Sequence, residues 1–250
     1  MLFNKTEVKH LVVSALVLGF VFGFDDGRSS FMFSYWILNF LKFALFSLIV
    51  LVVQELGQKL IASRSGCTTE HRVWKIKRYG FSKSREFSKL PFGIESLYLG
   101  FILPILIVIL SSGQLKFAAV GLSLISINPM YRLGRKYTHL TDFETAKIAL
   151  TGPLTAMLFA LILKMFPATA ITTNLIVIST AFALSNIIPL PKLDGAETFF
   201  GSKPLFVFGA AFIIGCYYLI IYLHLFTALI LSLMIAAILL VLYYYYVEFT

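Results

Sequence analysis

Long apolar runs follow one another along most of this chain, and they limit what it can fold into. The longest, about Ser34 to Ala62, is long enough to cross a bilayer with tilt or with an extension beyond it. The other runs are about Val8 to Phe24, Ile94 to Leu110, Leu115 to Ile127, Ala146 to Phe166, Thr173 to Leu190, Leu205 to Leu223 and Leu225 to Val247. The chain is 59% hydrophobic and 13% charged, with a mean hydropathy of +0.88, which excludes an ordinary soluble domain. The expected fold is an α-helical polytopic membrane protein with six to eight crossings, built as a single membrane domain over residues 1–250.

The first run ends in Phe24-Asp25-Asp26-Gly27-Arg28 without a small-x-small cleavage site, so it reads as a retained spanning helix rather than a signal peptide. Leu115 to Ile127 is short for a crossing and is expected to be re-entrant. Pro189 and Pro191 end or unwind the run before them. The last two runs are nearly continuous around Tyr222-Leu223-His224, as a tight hairpin or a bent pair would be.

The net charge of +9 sits in short segments between apolar runs, where lipid headgroups and topology account for it and nucleic acid does not. Residues 59–89 carry Lys59, Arg64, Arg72, Lys75, Lys77, Arg78, Lys83, Arg85 and Lys89 against Glu70 and Glu86, which predicts a cytoplasmic segment. Arg132, Arg135 and Lys136 mark a second one. An even number of crossings then places both termini in the cytoplasm. Within the basic insertion, 67–91, the alternation from His71 to Tyr79 followed by Gly80 predicts a short strand and turn near the membrane surface. A basic interfacial loop held by Trp74 and Tyr79 is the alternative. Cys67 and Cys216 are too few and too far apart to imply a disulfide framework.

One glutamate stands inside the longest run. An ionisable residue at membrane depth is expensive unless it faces protein, water or a partner, so Glu55 is a candidate functional residue. Its surroundings, Gln54-Glu55-Leu56-Gly57-Gln58, have the frame of an HExxH helix with glutamine at both histidine positions. In that frame two imidazoles at i and i+4 share one helix face and one metal, and the glutamate handles a proton of metal-bound water. A neutral amide is a weak ligand beside imidazole, so Gln54 and Gln58 are degenerate ligand positions. The alternative is a structural Glu55 hydrogen-bonded to Gln54, Gln58 or the backbone. His10, His71, His139 and His224 lack the helix spacing to replace the missing ligands and read as interfacial or surface histidines.

A second motif lies far down the chain. Residues Asn186 to Gly195 read Asn-Ile-Ile-Pro-Leu-Pro-Lys-Leu-Asp-Gly, and Gly152-Pro153 opens the middle of a central run. With the Gln54 to Gln58 frame, these segments resemble the site-2 protease family of intramembrane zinc metalloproteases over roughly residues 34–205. The resemblance implies a site-2-protease-like bundle with a small cytoplasmic β insertion. It also implies Glu55 as general base and Asp194 as third metal ligand, with Gln54 and Gln58 standing where histidines would bind. Asn186, Pro189, Pro191 and Gly195 would support the site, and Thr155 stands where relatives often carry an asparagine that contacts substrate.

Active relatives hydrolyse peptide bonds of membrane-spanning proteins or peptides with zinc as cofactor, and those substrates and the lipid bilayer are the implied partners. With both histidines absent, the chain as written is expected to bind little or no zinc and to be proteolytically inactive. It is then a non-catalytic pseudoprotease that binds or retains membrane proteins, or a protease inactivated by two His to Gln changes. A transporter is a third class, which the few polar intramembrane positions and the lack of an inverted repeat disfavour.

Overall fold

The computed structural model describes residues 3–25, 27–28, 32–77, 96–127 and 139–249. Six of its helices are long and apolar enough to cross a membrane: α1 (Lys5–Gly23), α2 (Phe33–Arg64), α4 (Asp142–Leu163), α5 (Ala170–Ile187), α7 (Lys203–Tyr222) and α8 (Leu225–Phe249). The protein is therefore an α-helical protein with the makings of a multi-pass membrane bundle. At 32 residues α2 is about 48 Å long, more than the roughly 30 Å hydrocarbon core requires.

Helix ends follow local chemistry. Thr141 and Thr169 cap α4 and α5 in reciprocal capping boxes, Thr141 with Glu144 and Thr169 with Thr172. Ser202 caps α7, whose first turn holds Pro204. The α5 helix stops at Ile187, with Ile188 already extended, because a residue before proline avoids helical geometry.

Two apolar runs are not spanning helices. The third yields α3 (Leu99–Leu110), whose 12 residues span about 18 Å, too short to cross alone. The fourth, Leu115 to Ile127, is irregular as far as Val120 and then forms a strand, β4 (Gly121–Ile127). Its partner is β1 (Cys67–Val73), antiparallel, with Cys67 opposite Ile127 and Val73 opposite Gly121. The first residues of the expected strand, from His71, are thus in a strand that begins at Cys67 and pairs long-range, bracketing α3. A two-residue ladder joins β2 (Ile76–Lys77) to β3 (Ser96–Leu97), and the rest of the expected strand and insertion, 78–91, lies outside the described residues.

Burial along β1 alternates, with Cys67, Thr69, His71 and Val73 inside. The inner face packs on α1 and α2. Trp74, expected at an interface, is buried: its indole N–H donates to Pro191 O at 3.0 Å and its carbonyl accepts from Gly100 N at 3.1 Å. This ties β1 to the start of α3 and to the Pro189-Leu190-Pro191 segment. The main apolar core joins Leu18 and Phe22 of α1, Leu51 of α2, Met157 of α4, Phe182 of α5 and Ile213 of α7. The last two helices form the hairpin option, with Cys216 Sγ 3.1 Å from Ser232 Oγ between them. Neither cysteine is in a disulfide, and both are buried.

Candidate functional site

Glu55 lies on the buried side of α2 with no exposed surface. Gln54 and Gln58 are buried beside it, and Asp194, the first residue of α6 (Asp194–Gly201), is 3% exposed. The fold brings Gln58 and Asp194 together across 136 positions of sequence: Gln58 Nε2 donates to Asp194 Oδ2 at 2.9 Å. The same amide nitrogen donates to Ala149 O at 3.3 Å, and the amide oxygen accepts from Ser123 Oγ of β4. All three contacts are buried.

Ala149 O has a lone pair to give because of its position. It stands four residues before Pro153, which has no N–H to return to it within α4, and Gln58 takes the vacant place. Gly152 makes room for this, since a Cβ there would lie 2.4 Å from Gln58 Nε2 and 2.9 Å from Asp194 Oδ2. Gly195 lets the start of α6 close onto the end of α5, where a Cβ would meet Ile187 O at 2.3 Å. Asn186 caps no neighbour: its amide donates back to Phe182 O at 3.1 Å. Thr155 turns its hydroxyl to Thr151 O at 2.7 Å and packs against Gly57.

Glu55 is held by residues that motif reasoning left out. His71, expected at a surface, is 2% exposed, and its Nδ1 lies 2.8 Å from Glu55 Oε1. The other ring nitrogen, Nε2, lies 3.0 Å from Ser14 Oγ of α1. With Nδ1–H given to Glu55, Nε2 accepts the Ser14 hydroxyl. This connectivity is that of a serine–histidine–carboxylate relay, but Ser14 is fully buried, so the chain serves to orient the imidazole on Glu55. Ser123 Oγ, 3.5 Å from Glu55 Oε1, joins this group to Gln58. The close fit of the ring needs Gly121, where a Cβ would fall 2.1 Å from His71 Cε1.

A charged pair closes the outer edge of β1. Glu7 of α1 accepts from His71 N at 3.1 Å and pairs with Lys59 Nζ at 2.7 Å, and Lys59 also donates to Thr69 O at 2.7 Å. Two peptide groups on the outer edge of β1, His71 N and Thr69 O, are thus satisfied by side chains. On the opposite flank, burial and then the Glu197 and Glu55 carboxylates push Asp194 well above the usual carboxylate range, against the lowering effect of Gln58. Burial alone raises Glu197 to about 7.

The residues at the implied metal position do not fit zinc. The Gln58 amide spends its nitrogen on Asp194 and Ala149 and its oxygen on Ser123. An N–H aimed at Asp194 Oδ2 occupies the direction a cation would need. Gln54 Oε1 is buried without a hydrogen-bond partner, as is Glu55 Oε2, so the remaining donors are one neutral amide and two carboxylates. Among the described residues no three His, Cys, Asp or Glu side chains converge on one point. No protein-family profile, curated protein or solved structure matches the chain. Fold and site together define an α-helical membrane protein with a buried polar cluster at the meeting of α1, α2, α4, α6 and the β1–β4 sheet.

Proposed function

We propose that this chain is a proteolytically silent relative of the site-2 proteases, a membrane scaffold that binds membrane-spanning proteins without cutting them. One observation carries the reading: Gln58 and Asp194, two of the three positions the resemblance assigns to metal, are joined directly by a 2.9 Å hydrogen bond. A protein contact stands where a ligand set would stand. Glu55 is engaged as well, its Oε1 facing His71 and Ser123. Within this reading both termini and the basic segment after α2 are cytoplasmic, and membrane-spanning proteins or peptides are the partners.

The test compares the written chain with a Gln54→His, Gln58→His double variant, each alongside a Glu55→Gln control. Zinc content and cleavage of a panel of transmembrane substrates are measured. The written chain is expected to hold substoichiometric zinc, to cut nothing and still to crosslink to intact substrates in the membrane. Glutamate-dependent cleavage by the written chain would overturn the silent reading. A double variant that gains no zinc would count against the family's site having stood here.

A further inference from the structure

A cavity of about 480 Å³ opens between α5, α7 and the irregular segment that follows α3. Its walls are mostly apolar, with Ile176, Val177 and Leu184 from α5 and Ile220 and Ile221 from α7, interrupted by Thr180, Ser185 and Tyr217. Its rim holds Lys116, which is exposed and meets no carboxylate among the described residues.

The depth of that rim can be read from its neighbours. The turn before it brings Gly113 against Phe24 and Asp25, at the end of α1 opposite Glu7, and Lys116 Nζ lies 5.8 Å from the Phe22 ring. Asp25 and Arg28 are exposed there, marking the level where the bundle leaves the hydrocarbon. Lys116 therefore sits near headgroup level while the groove runs inward along two spanning helices.

The backbone adds a second demand. Leu115 N is satisfied by Ser111 Oγ and Ala118 N by Ser185 Oγ, but the peptide groups of Lys116 and Phe117 meet no partner among the described residues. Irregular backbone facing lipid needs a polar partner that hydrocarbon cannot give. We infer that this groove binds an anionic phospholipid, with its phosphate on the Lys116 ammonium and the adjacent amide N–H groups and an acyl chain laid between α5 and α7.

The full chain, purified and delipidated, is titrated with phosphatidylglycerol or phosphatidylcholine of the same acyl composition, and bound lipid is counted by native mass spectrometry. The expected preference for the anionic lipid is about fivefold, the worth of one lysine at a charged surface. Lys116→Gln, a surface change that leaves the fold intact, should abolish the preference while retaining acyl binding. Ala181→Trp, which fills the groove, should reduce both lipids. Equal retention of the two lipids by the unaltered chain, or an unchanged preference in Lys116→Gln, would overturn the assignment. Displacement of lipid by inorganic phosphate would make this an ion site instead, and a co-purifying peptide helix in the groove would make it a protein-docking site; either refutes the lipid proposal.

Discussion

At the scale of single residues, Gln58 does the most. Its amide meets β4, α4 and α6 at once, so Gln58→Leu leaves Ser123, Ala149 O and Asp194 short of a partner in a buried setting, at a cost of about 3 kcal/mol. Pro153 makes a sharper test of the assignment. In a Pro153→Ala background α4 regains an N–H for Ala149 O, so Gln58→Leu should cost about 1 kcal/mol less there than in the unaltered chain. Thermal unfolding in detergent of the four members of this cycle reads the coupling. Additive costs would show that Ala149 O gains nothing from Gln58. The same logic explains Gly152, since any side chain there would push between the two groups it now lets touch.

At the scale of elements, the small sheet decides what surrounds Glu55. Glu7 and Lys59 act as a substitute third strand on β1, satisfying Thr69 O and His71 N. Glu7→Ala should cost about 2 kcal/mol, less than a fully enclosed pair because Lys59 keeps 14% of its side chain exposed. It should also speed hydrogen exchange at the His71 amide far more than at Leu124 on the opposite strand; equal acceleration at both would mean that the whole sheet, and not its edge, depends on Glu7.

This sheet is also where sequence reasoning met its limit. The six long helices were legible because each buries apolar residues over a length the bilayer sets. Gln58 and Asp194 were legible as positions in two motifs. His71, Ser14 and Ser123 were not, because their meeting depends on β1 pairing with a strand beyond α3, and no local spacing encodes that partner. The apolar run that held Ser123 also concealed it. Its sequence from Gly121 to Ile127 sets Ser123 between two leucines and Ser126 between two isoleucines, a pattern compatible with a strand but apolar enough to pass for membrane.

At the scale of the whole molecule, the short helix and its return strand bear on how the crossings add up. Helix α3 leaves the Trp74 level, and the turn after it reaches the Phe24 end of α1, where Gly113 packs. The chain then runs back until β4 lies beside β1. That excursion goes out and returns, so it changes no side, whether or not it is counted as a pair of crossings. Crossings by all six helices long enough to span would make an even number of passes. Both ends of the chain are therefore expected on one face, the face that carries Arg64 at the end of α2 and the basic residues after it. Reporter fusions at the N-terminus, at Lys83 and after Thr250 should all report the cytoplasm, and one at Gly113 should report the opposite side. A reporter at Lys83 facing away from both termini would show that α1 and α2 do not both cross, and termini on opposite faces would break the even count; no rearrangement of α3 and β4 alone can produce either result.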